Sequence, residues 1–514
     1  MTQPVPKTLL DVFAHHPADS TAFIVPERDL RVSYGSLRKQ VQACAGALAA
    51  AGVRRGDRVA SALPNGLPTI VSFLAASMAG TAAPLNPAYK EEEFKFYLED
   101  TSARFILVPP EGMDDARRAA GNSVKVLTVD LNEAGDVVIS GAEPAKAGPH
   151  GAGGYDAPSV DDVALILHTS GSTGKPKRVP LTHAQLSISA QNVAATYALQ
   201  PQDVSLCVMP LFHVHGLVAS TLGTLATGGT VIVPNKFNPL SFWSVASDYG
   251  ATWYSAVPTM HQLLVARGKG KARPAGAEKL RFIRSCSASL APQLLTDLEE
   301  CFGAPVLEAY GMTEAAHQMA SNPLPPAAHK AGSVGPNTGT TQIGIMDAEG
   351  NLLKAGERGE VVIRGANVIR GYENNPDANA TSFTNGWFRT GDQGYLDDEG
   401  YLLLTGRLKE MINRGGEKIS PREIDEALLS HPAVDQAVAF GVPHKGWGEE
   451  VAAAVVLKAD ATATEAELVA HCKEKLADFK RPKQIFITEA IPRTATGKIQ
   501  RSRVAEAFAG AGAQ

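Results

Sequence analysis

The sequence predicts an α/β protein whose sheets are largely parallel and covered by helices. Short apolar runs alternate with helical patterns along most of the chain, which is typical of layered α/β folds. At about 100–200 residues per domain, the 514 residues suggest more than one domain. Hydrophobic residues make up 44% and charged residues 20% of the chain. This composition is that of an ordinary globular protein and excludes global disorder, collagen and coiled-coil architectures.

The first strand and helix signals lie in the middle of the chain. Residues 163–168 form an apolar run that predicts a buried strand, and residues 230–234 predict another. Thr182 is followed three residues later by Gln185, a capping-box pattern that predicts the start of a helix. The segment 141–158, rich in Gly, Ala and Pro, predicts an exposed connector before the first of these strands.

The pattern changes from about residue 359 onward. Residues 360–364 and 401–405 predict strands separated by turn residues, and residues 437–442 and 451–457 predict strands of a second compact part. Thr464 with Glu467 predicts a capped helix that ends near residue 476. We therefore expect a domain boundary near residues 407–409.

Charge and cysteine content exclude several kinds of partner. Lys and Arg number 48 against 53 Asp and Glu, a net charge of −5, so we expect no nucleic acid partner. The five cysteines are scattered, which disfavours a zinc site or a disulfide framework and favours a reducing compartment. The residues at the N-terminus form no signal peptide, and Gly512, Ala513 and Gln514 form no peroxisomal signal, so we expect a cytoplasmic protein.

Two long stretches without Asp, Glu, Lys or Arg raise the question of a membrane span. They cover residues 59–89 and 204–235, and both are interrupted by Pro, Gly and Asn. A spanning helix needs about 20 consecutive apolar residues. We therefore expect the buried core of a large α/β domain, with no membrane span.

The segment 169–177 directly follows the first predicted strand and reads Thr-Ser-Gly-Ser-Thr-Gly-Lys-Pro-Lys. Its glycines allow close approach of the backbone to an anion, and its hydroxyls and lysines can donate to phosphate oxygens. It does not match the P-loop pattern, because Thr169 stands in place of Gly and Pro176 follows Lys175. A phosphate-binding loop and a plain Ser/Gly-rich turn both remain open from this segment alone.

Further segments follow in a defined order, and together with the loop they carry a family resemblance. They are residues 308–314, 387–392, 406–412, 415–420 and 493–499. In this order they resemble the adenylate-forming (ANL) superfamily of acyl- and aryl-CoA synthetases, adenylation domains and luciferases, over about residues 9–507. The resemblance implies ATP-dependent formation of an acyl-AMP and pyrophosphate, followed by displacement of AMP by a thiol, usually that of coenzyme A.

The resemblance also implies a domain organisation. Residues 1–406 would form a large N-terminal domain of layered α/β sheets with a small β-barrel-like part, which carries the ATP and acyl pockets. Residues 407–409 would be the hinge, with Lys409 as the residue about which rotation occurs, and residues 410–514 a small mobile α+β domain. Gly415, Gly416 and Lys418 resemble the segment that lines the coenzyme A tunnel.

The ATP site follows position by position from the same resemblance. The loop would hold the β- and γ-phosphates, an aromatic residue would stack on adenine, and an Asp and an Arg would bind the ribose. Thr313 and Glu314 match the positions that meet the α-phosphate and Mg²⁺, and Lys498 matches the lysine that bridges the carboxylate and the α-phosphate. These three are the expected catalytic residues. The expected ATP ligands are Thr169, Ser170, Gly171, Ser172, Thr173, Gly174, Lys175, Tyr310, Thr313, Asp392, Arg407 and Lys498. Ser172 and Arg178 depart from the usual residues.

The acid is suggested by four stretches, residues 210–216, 285–290, 315–324 and 329–335. They resemble the oxalate–CoA ligases of plants and fungi, in which polar residues recognise the small diacid. The matching positions are His213, Ser287 and His317. Oxalate has no apolar body, and a carboxylate in a dry pocket needs hydrogen-bond donors.

Other acids and other classes of function remain open. Malonate, a medium-chain fatty acid or an aryl acid would use the same two steps, and Arg284, close to Ser287, keeps malonate possible. A luciferase-like oxygenation and loading of a carrier protein are further alternatives, as is a non-enzymatic binding role such as RNA association. The protein could be a monomer or a homodimer.

Overall fold

The structure is a computed structural model that describes residues 5–141, 155–169, 176–493 and 499–509. The predicted loop residues 170–175, Lys498 and most of the predicted connector lie outside the described residues. The chain divides into two compact units. The first unit comprises residues 1–289, 296–343 and 363–388, and the second comprises residues 290–295, 344–362 and 389–514. The predicted hinge at residues 407–409 stays a prediction.

The strands alternate with helices through most of the first unit and dominate the second. In chain order they are β1 (Thr21–Val25), β2 (Leu30–Ser33), β3 (Arg58–Ser61), β4 (Thr81–Pro84), β5 (Phe105–Val108), β6 (Lys125–Leu131), β7 (Val137–Ser140), β8 (Val163–Thr169), β9 (Lys177–Thr182), β10 (Val204–Cys207), β11 (Thr230–Ile232), β12 (Trp253–Ala256), β13 (Phe282–Ser285), β14 (Val306–Met312), β15 (His317–Ser321), β16 (Gln342–Met346), β17 (Gly359–Arg364), β18 (Phe383–Thr384), β19 (Trp387–Leu396), β20 (Leu402–Arg407), β21 (Ile412–Arg414), β22 (Glu417–Ile419), β23 (Val434–His444), β24 (Gly448–Leu457) and β25 (Gln484–Ile487).

The α-helices are α1 (Tyr34–Ala51), α2 (Leu67–Ala79), α3 (Glu91–Asp100), α4 (Asp114–Ala120), α5 (His183–Thr196), α6 (Gly223–Leu225), α7 (Phe242–Tyr249), α8 (Pro258–Gly268), α9 (Pro292–Phe302), α10 (Pro376–Ser382), α11 (Pro421–Leu429), α12 (Glu465–Lys475) and α13 (Arg501–Ala509). A π-helical segment, His215–Leu222, leads into α6, and short 3₁₀ turns cover Pro26–Arg28, Ala275–Ala277, Thr313–Ala315 and Asp478–Lys480.

Within the described ranges, the two largest sheets have eight and seven strands. Their orders are β15-β14-β13-β12-β10-β11-β1-β2 and β7-β6-β5-β3-β4-β8-β9. Interior neighbours in both sheets run parallel, and the outermost pairs are antiparallel. The predicted α/β class with largely parallel sheets is therefore confirmed, with antiparallel strands at every edge. Crossover connections by helices explain the parallel interior, because a parallel pair cannot be joined by a tight turn.

Two smaller sheets follow along the chain. One has the order β16-β17-β19-β18 with β20 beside β19, and the other has the order β22-β21-β24-β23 with β25 beside β24. The second of these packs against α11 and α12 through a core that includes Ile424, Leu428, Val451 and Leu468. The barrel-like closure and the mobility of the C-terminal part stay predictions.

The predicted strands and helix starts are confirmed with small shifts at their ends. Thr182 caps α5, since its side chain accepts a hydrogen bond from the Gln185 backbone N–H, and the Gln185 side chain bonds back to the cap. Thr464 and Glu467 form the same reciprocal cap at α12. These local signals are reliable because the capping groups satisfy backbone N–H groups that the helix itself leaves unpaired.

The two uncharged stretches fold as buried core. Residues 59–89 include most of β3, all of α2 and β4, and α2 is buried over nearly its whole surface. Residues 204–235 contain β10, the π-helical segment and β11, which are also buried. Among the helices of the described ranges, none is both long and apolar enough to cross a membrane.

Candidate active site

The hairpin of β14 and β15 carries most of the predicted site residues of the first unit. Tyr310 lies on β14, Thr313 and Glu314 form the 3₁₀ turn that joins the strands, and His317 begins β15. All four side chains are buried, with at most 9% of their surface exposed. The motif is therefore one edge hairpin of the eight-stranded sheet, and its sequence order becomes spatial proximity because the chain reverses at Thr313–Ala315.

The backbone around His317 is strained. Ala316 has a φ of 51° and His317 a φ of 120°, values that side chains with a Cβ rarely adopt. Gly311 makes this path possible, since a Cβ at that position would lie 2.2 Å from the carbonyl oxygen of His317. Ser287 has a φ of 73° and is a third outlier. Strain of this kind persists only where surrounding contacts impose it, and it concentrates at functional sites.

Glu314 is held by Tyr372, which the sequence reasoning did not find. The Tyr372 hydroxyl donates a 2.8 Å hydrogen bond to the Glu314 carboxylate. Burial and the neighbouring Glu314 charge raise the pKa of Tyr372, so the hydroxyl remains a donor at neutral pH. The ammonium of Lys177 lies 4.4 Å from the centroid of the same ring. Tyr372 thus links the expected Mg²⁺ carboxylate to the strand that follows the loop.

The loop 170–175 connects two paired strands. Thr169 ends β8 and lies opposite Lys177, the first residue of β9, in an antiparallel register. A strand rather than a helix therefore follows Pro176, which separates this loop from a P-loop. Arg178 is 13% exposed at its side chain and pairs with Asp100 at 3.4 Å and with Glu373 at 3.3 Å. Its charge is thus engaged by two carboxylates of the same unit.

The predicted acid residues Ser287 and His317 meet around a second histidine, His215. The Nδ1 atom of His215 lies 2.9 Å from the Ser287 hydroxyl oxygen. Its ring stacks on that of His317 with centroids 5.3 Å apart and an interplanar angle of 22°. His215 is fully buried at the start of the π-helical segment, and single π-turns are frequent at functional sites. The arrangement brings a half-buried hydroxyl against two buried imidazoles.

His213 takes a different position from His215. It is only partly buried, and its Nδ1 atom accepts a 3.3 Å hydrogen bond from the backbone N–H of His215. The sequence offers two histidines two residues apart, and no periodicity distinguishes between them. The π-helical turn decides which of the two lies against Ser287. The role of His213 as an acid ligand stays a prediction.

Arg284 lies behind these histidines on β13 and is fully buried. Its guanidinium donates to the Tyr197 hydroxyl at 2.8 Å, the Ser255 hydroxyl at 3.0 Å and the side-chain amide oxygen Oε1 of Gln318 at 3.0 Å. It also faces Nε2 of His317 at 3.0 Å and Nε2 of His215 at 3.3 Å. The guanidinium therefore joins two imidazoles, two hydroxyls and one amide in a single hydrogen-bonded cluster.

In the second unit, the two predicted ribose ligands are direct cross-strand neighbours. Asp392 on β19 is in register with Arg407 on β20, and their side chains form an ion pair at 3.1 Å. Asp392 is 7% exposed, whereas the Arg407 side chain is 64% exposed. Exposed pairs of this kind contribute little to stability. The exposed guanidinium thus remains accessible for a ligand.

The predicted coenzyme A segment is a tight hairpin in the same unit. Gly415 and Gly416 have φ values of 60° and 93° and connect β21 to β22, which matches a two-residue turn that needs positive φ at both positions. A Cβ at Gly415 would lie 2.6 Å from the Trp447 ring, whereas Gly416 faces open space. Lys418 and Lys409 are exposed. Their roles, like those of the other predicted site residues, stay predictions.

Comparison with known families decides the classification. A model of the AMP-binding enzyme family matches residues 10–373, and a model of the AMP-binding enzyme C-terminal domain matches residues 423–498. The chain belongs to the AMP-binding enzyme family. It is an enzyme of the adenylate-forming superfamily, as the ordered motifs predicted.

Relatives of this AMP-binding enzyme cover nearly its whole length. It is 50% identical over 464 residues to an oxalate–CoA ligase of Arabidopsis thaliana, which covers 89% of this chain and 90% of that protein. It is 46% identical over 537 residues to an oxalate–CoA ligase of Saccharomyces cerevisiae, at 96% and 95% coverage. The structure of O-succinylbenzoate coenzyme A synthetase from Bacillus subtilis, in complex with ATP and a magnesium ion, matches with a TM-score of 0.83 and 31% identity. The match covers 96% of this chain and 98% of the synthetase chain.

Proposed function

We propose that this AMP-binding enzyme is an oxalate–CoA ligase, which converts oxalate, ATP and coenzyme A to oxalyl-CoA, AMP and pyrophosphate. The observation that carries the choice of acid is the meeting of the half-buried Ser287 with the buried His215 and His317 in one polar cluster. A tunnel of apolar side chains would offer a small dianion nothing. Hydroxyl and imidazole donors satisfy a carboxylate that has left water. The similarity to oxalate–CoA ligases of a plant and a yeast supports the same acid.

The first step joins two anions, so its main requirement is fixed positive charge and aligned reactants. A carboxylate oxygen of oxalate attacks the α-phosphorus of ATP, and pyrophosphate leaves. In this proposal Lys498 bridges the attacking carboxylate and the α-phosphate, and Tyr310 stacks on adenine. Thr313 meets the α-phosphate, Asp392 and Arg407 bind the ribose, and Thr169 with residues 170–175 holds the other phosphates.

The side chains fit Mg²⁺ that enters with ATP. In the part of the chain that the structure describes, no group of three or more His, Cys, Asp or Glu residues could hold a metal ion by itself. Mg²⁺ is commonly held by one or two carboxylates together with substrate phosphates. Glu314, buried and fixed by Tyr372, offers such a carboxylate. The ion would supply neutralisation of phosphate charge.

In the second step, the thiol of coenzyme A attacks the carbonyl carbon of oxalyl-AMP, and AMP leaves. Gly415, Gly416 and Lys418 line the pantetheine path in this proposal, and Lys409 is the hinge for rotation of residues 410–514. The open space at Gly416 suits a narrow channel. A cytoplasmic location and a monomeric or homodimeric state belong to the same proposal, and light scattering after size exclusion tests the latter.

The test measures coenzyme A-dependent AMP formation with oxalate, malonate, acetate, octanoate and 4-coumarate, each at equal concentration with ATP and Mg²⁺. A strong preference for oxalate is the expected result. Turnover with another acid would retain the two-step chemistry and refute the oxalate assignment. If no acid gives AMP or supports pyrophosphate exchange, the proposed activity itself is refuted.

A further inference from the structure

Arg284 is a buried cation without a buried anion beside it. None of its surface is exposed, and its hydrogen-bond partners are the neutral groups of Tyr197, Ser255 and Gln318, the two imidazoles and the thiol of Cys286. Across the described ranges of the chain, no carboxylate lies within ion-pair distance of its guanidinium. An unpaired charge in the interior is costly, so a protein that keeps one usually has a use for it.

We propose that Arg284 is a positioning residue that makes the acid pocket selective for a dianionic substrate, through its hold on His215 and His317. This inference rests on the proposed oxalate–CoA ligase function. The distal carboxylate of the bound diacid supplies the countercharge that the protein itself does not provide. Arg284 acts through the histidines and need not touch the acid.

The hydrogen-bond chemistry of arginine determines the state of both rings. A guanidinium donates and cannot accept, so the Nε2 atoms of His215 and His317 that face Arg284 must be acceptors. A neutral imidazole with an acceptor at Nε2 carries its proton on Nδ1. In His215, that Nδ1–H points at the Ser287 hydroxyl oxygen, 2.9 Å away. Because Ser287 accepts this bond, its own proton is available to donate to a ligand.

Ser255 strengthens the same relay. Its hydroxyl oxygen accepts from Arg284 at 3.0 Å and donates its own proton to Nε2 of His215, 2.6 Å away. The 3.3 Å contact from Arg284 to the same nitrogen is then the weaker branch of a three-centre hydrogen bond. Ser255 and His215, which lie between Arg284 and Ser287, thus each accept a hydrogen bond from the guanidinium side and donate one toward the pocket. A chain of oriented donors that starts at a buried cation stabilises an anion at its far end.

The expected size of the effect follows from distance. On the shorter path, through His317, one imidazole and its two hydrogen bonds separate the guanidinium from a bound carboxylate by about 8 Å, and a unit charge at that distance changes binding of a second unit charge about thirtyfold at an effective dielectric constant of about 20. Oxalate and its monoamide, oxamate, have nearly the same shape and differ in the distal charge. The ratio of their kcat/KM values in pyrophosphate exchange therefore isolates this contribution.

The decisive variant is Gln318→Glu. Oε1 of Gln318 already accepts from Arg284 and from the Tyr197 hydroxyl, so the glutamate is isosteric and gives the cation an internal countercharge. We expect kcat/KM for oxalate to fall about thirtyfold. We expect kcat/KM for oxamate and KM for ATP to stay within about threefold of wild type. Gln191→Glu adds the same charge at a partly exposed site, where Gln191 bonds Val5 and Ser187, and should change kcat/KM for neither acid.

A second pair of variants separates the loss of the charge at position 284 from a general loss of folding. Arg284→Lys keeps the charge and should retain more of the oxalate preference than Arg284→Met, which removes it. If Gln318→Glu lowers kcat/KM equally for oxalate and oxamate, or leaves both values as in wild type, the ratio of the two is unchanged and this inference is overturned. The proposed function stands in that case, provided that the wild-type enzyme uses oxalate. A wild-type enzyme that does not use oxalate would overturn the proposed function, and the inference with it.

Discussion

Replacement of Tyr372 by Phe tests the assignment of Glu314 as the carboxylate that meets Mg²⁺. The change removes a single hydroxyl, which donates to Glu314 at 2.8 Å, and keeps the ring against which Lys177 lies at 4.4 Å. Without this donor, the carboxylate loses one contact that holds it in the position in which it would bind the ion. The variant therefore perturbs the orientation of one ligand and leaves the rest of the hairpin in place.

The magnitude can be estimated from the geometry. A hydrogen bond to a charged group contributes about 1.5–3 kcal/mol. Loss of a side chain that orients a metal ligand typically costs about 10–100-fold in metal affinity. We therefore expect the Mg²⁺ concentration at half-maximal rate to rise at least about tenfold. The KM for oxalate should change little, because Ser287, His215 and His317 keep their contacts.

The assay is oxalate-dependent pyrophosphate exchange at increasing Mg²⁺ and fixed ATP. Tyr34→Phe is the matched control, because the buried Tyr34 hydroxyl donates a 2.7 Å hydrogen bond to the backbone carbonyl of Gly229 and not to a carboxylate. Both variants lose one buried hydrogen bond, but only Tyr372→Phe loses one to a carboxylate. A Mg²⁺ dependence that is the same in Tyr372→Phe, Tyr34→Phe and wild type would refute the assignment of Glu314.

Three further changes test other parts of the molecule. Lys498→Ala should abolish adenylation yet leave thioester formation from supplied oxalyl-AMP mostly intact, and equal loss in both half-reactions would count against the assigned role. Gly335→Ala should destabilise the protein by at least about 3 kcal/mol in urea unfolding, because its Cβ would lie 2.1 Å from the Ser321 backbone at a φ of 79°; a midpoint equal to that of wild type would contradict this packing. Burial lowers the pKa of His183 to about 4, below its ordinary value of 6.5. The unfolded chain therefore binds the proton first on acidification. The contribution of His183 to stability is full above pH 6.5 and falls toward pH 4, by up to about 3 kcal/mol. His183→Gln should reduce the pH dependence of stability, to which the buried His261 contributes in the same direction. An identical slope in both proteins would exclude His183 as a source.

Two features of the fold could be predicted from the sequence because their causes are local. A capping box satisfies backbone groups within four residues, so Thr182 and Thr464 mark the starts of their helices. Apolar runs of strand length predict buried strands because this signal, too, lies within a few consecutive residues. The ends of strands were less accurate, since pairing with a neighbour decides where a strand stops, as in β24, which begins at Gly448 rather than at residue 451.

The sequence by itself determined the class of the enzyme and the expected positions of its ligands, because ordered motifs keep residue types at fixed spacing along the chain. Tertiary structure decided which side chains meet. His215, Tyr372 and Arg284 contact the predicted residues from other elements, at separations of 72, 58 and 33 positions in the chain. Such contacts depend on strand register and on a π-helical turn, which no local pattern specifies. The charge environment of the acid pocket is likewise a tertiary property, since only packing shows that Arg284 is buried among neutral partners.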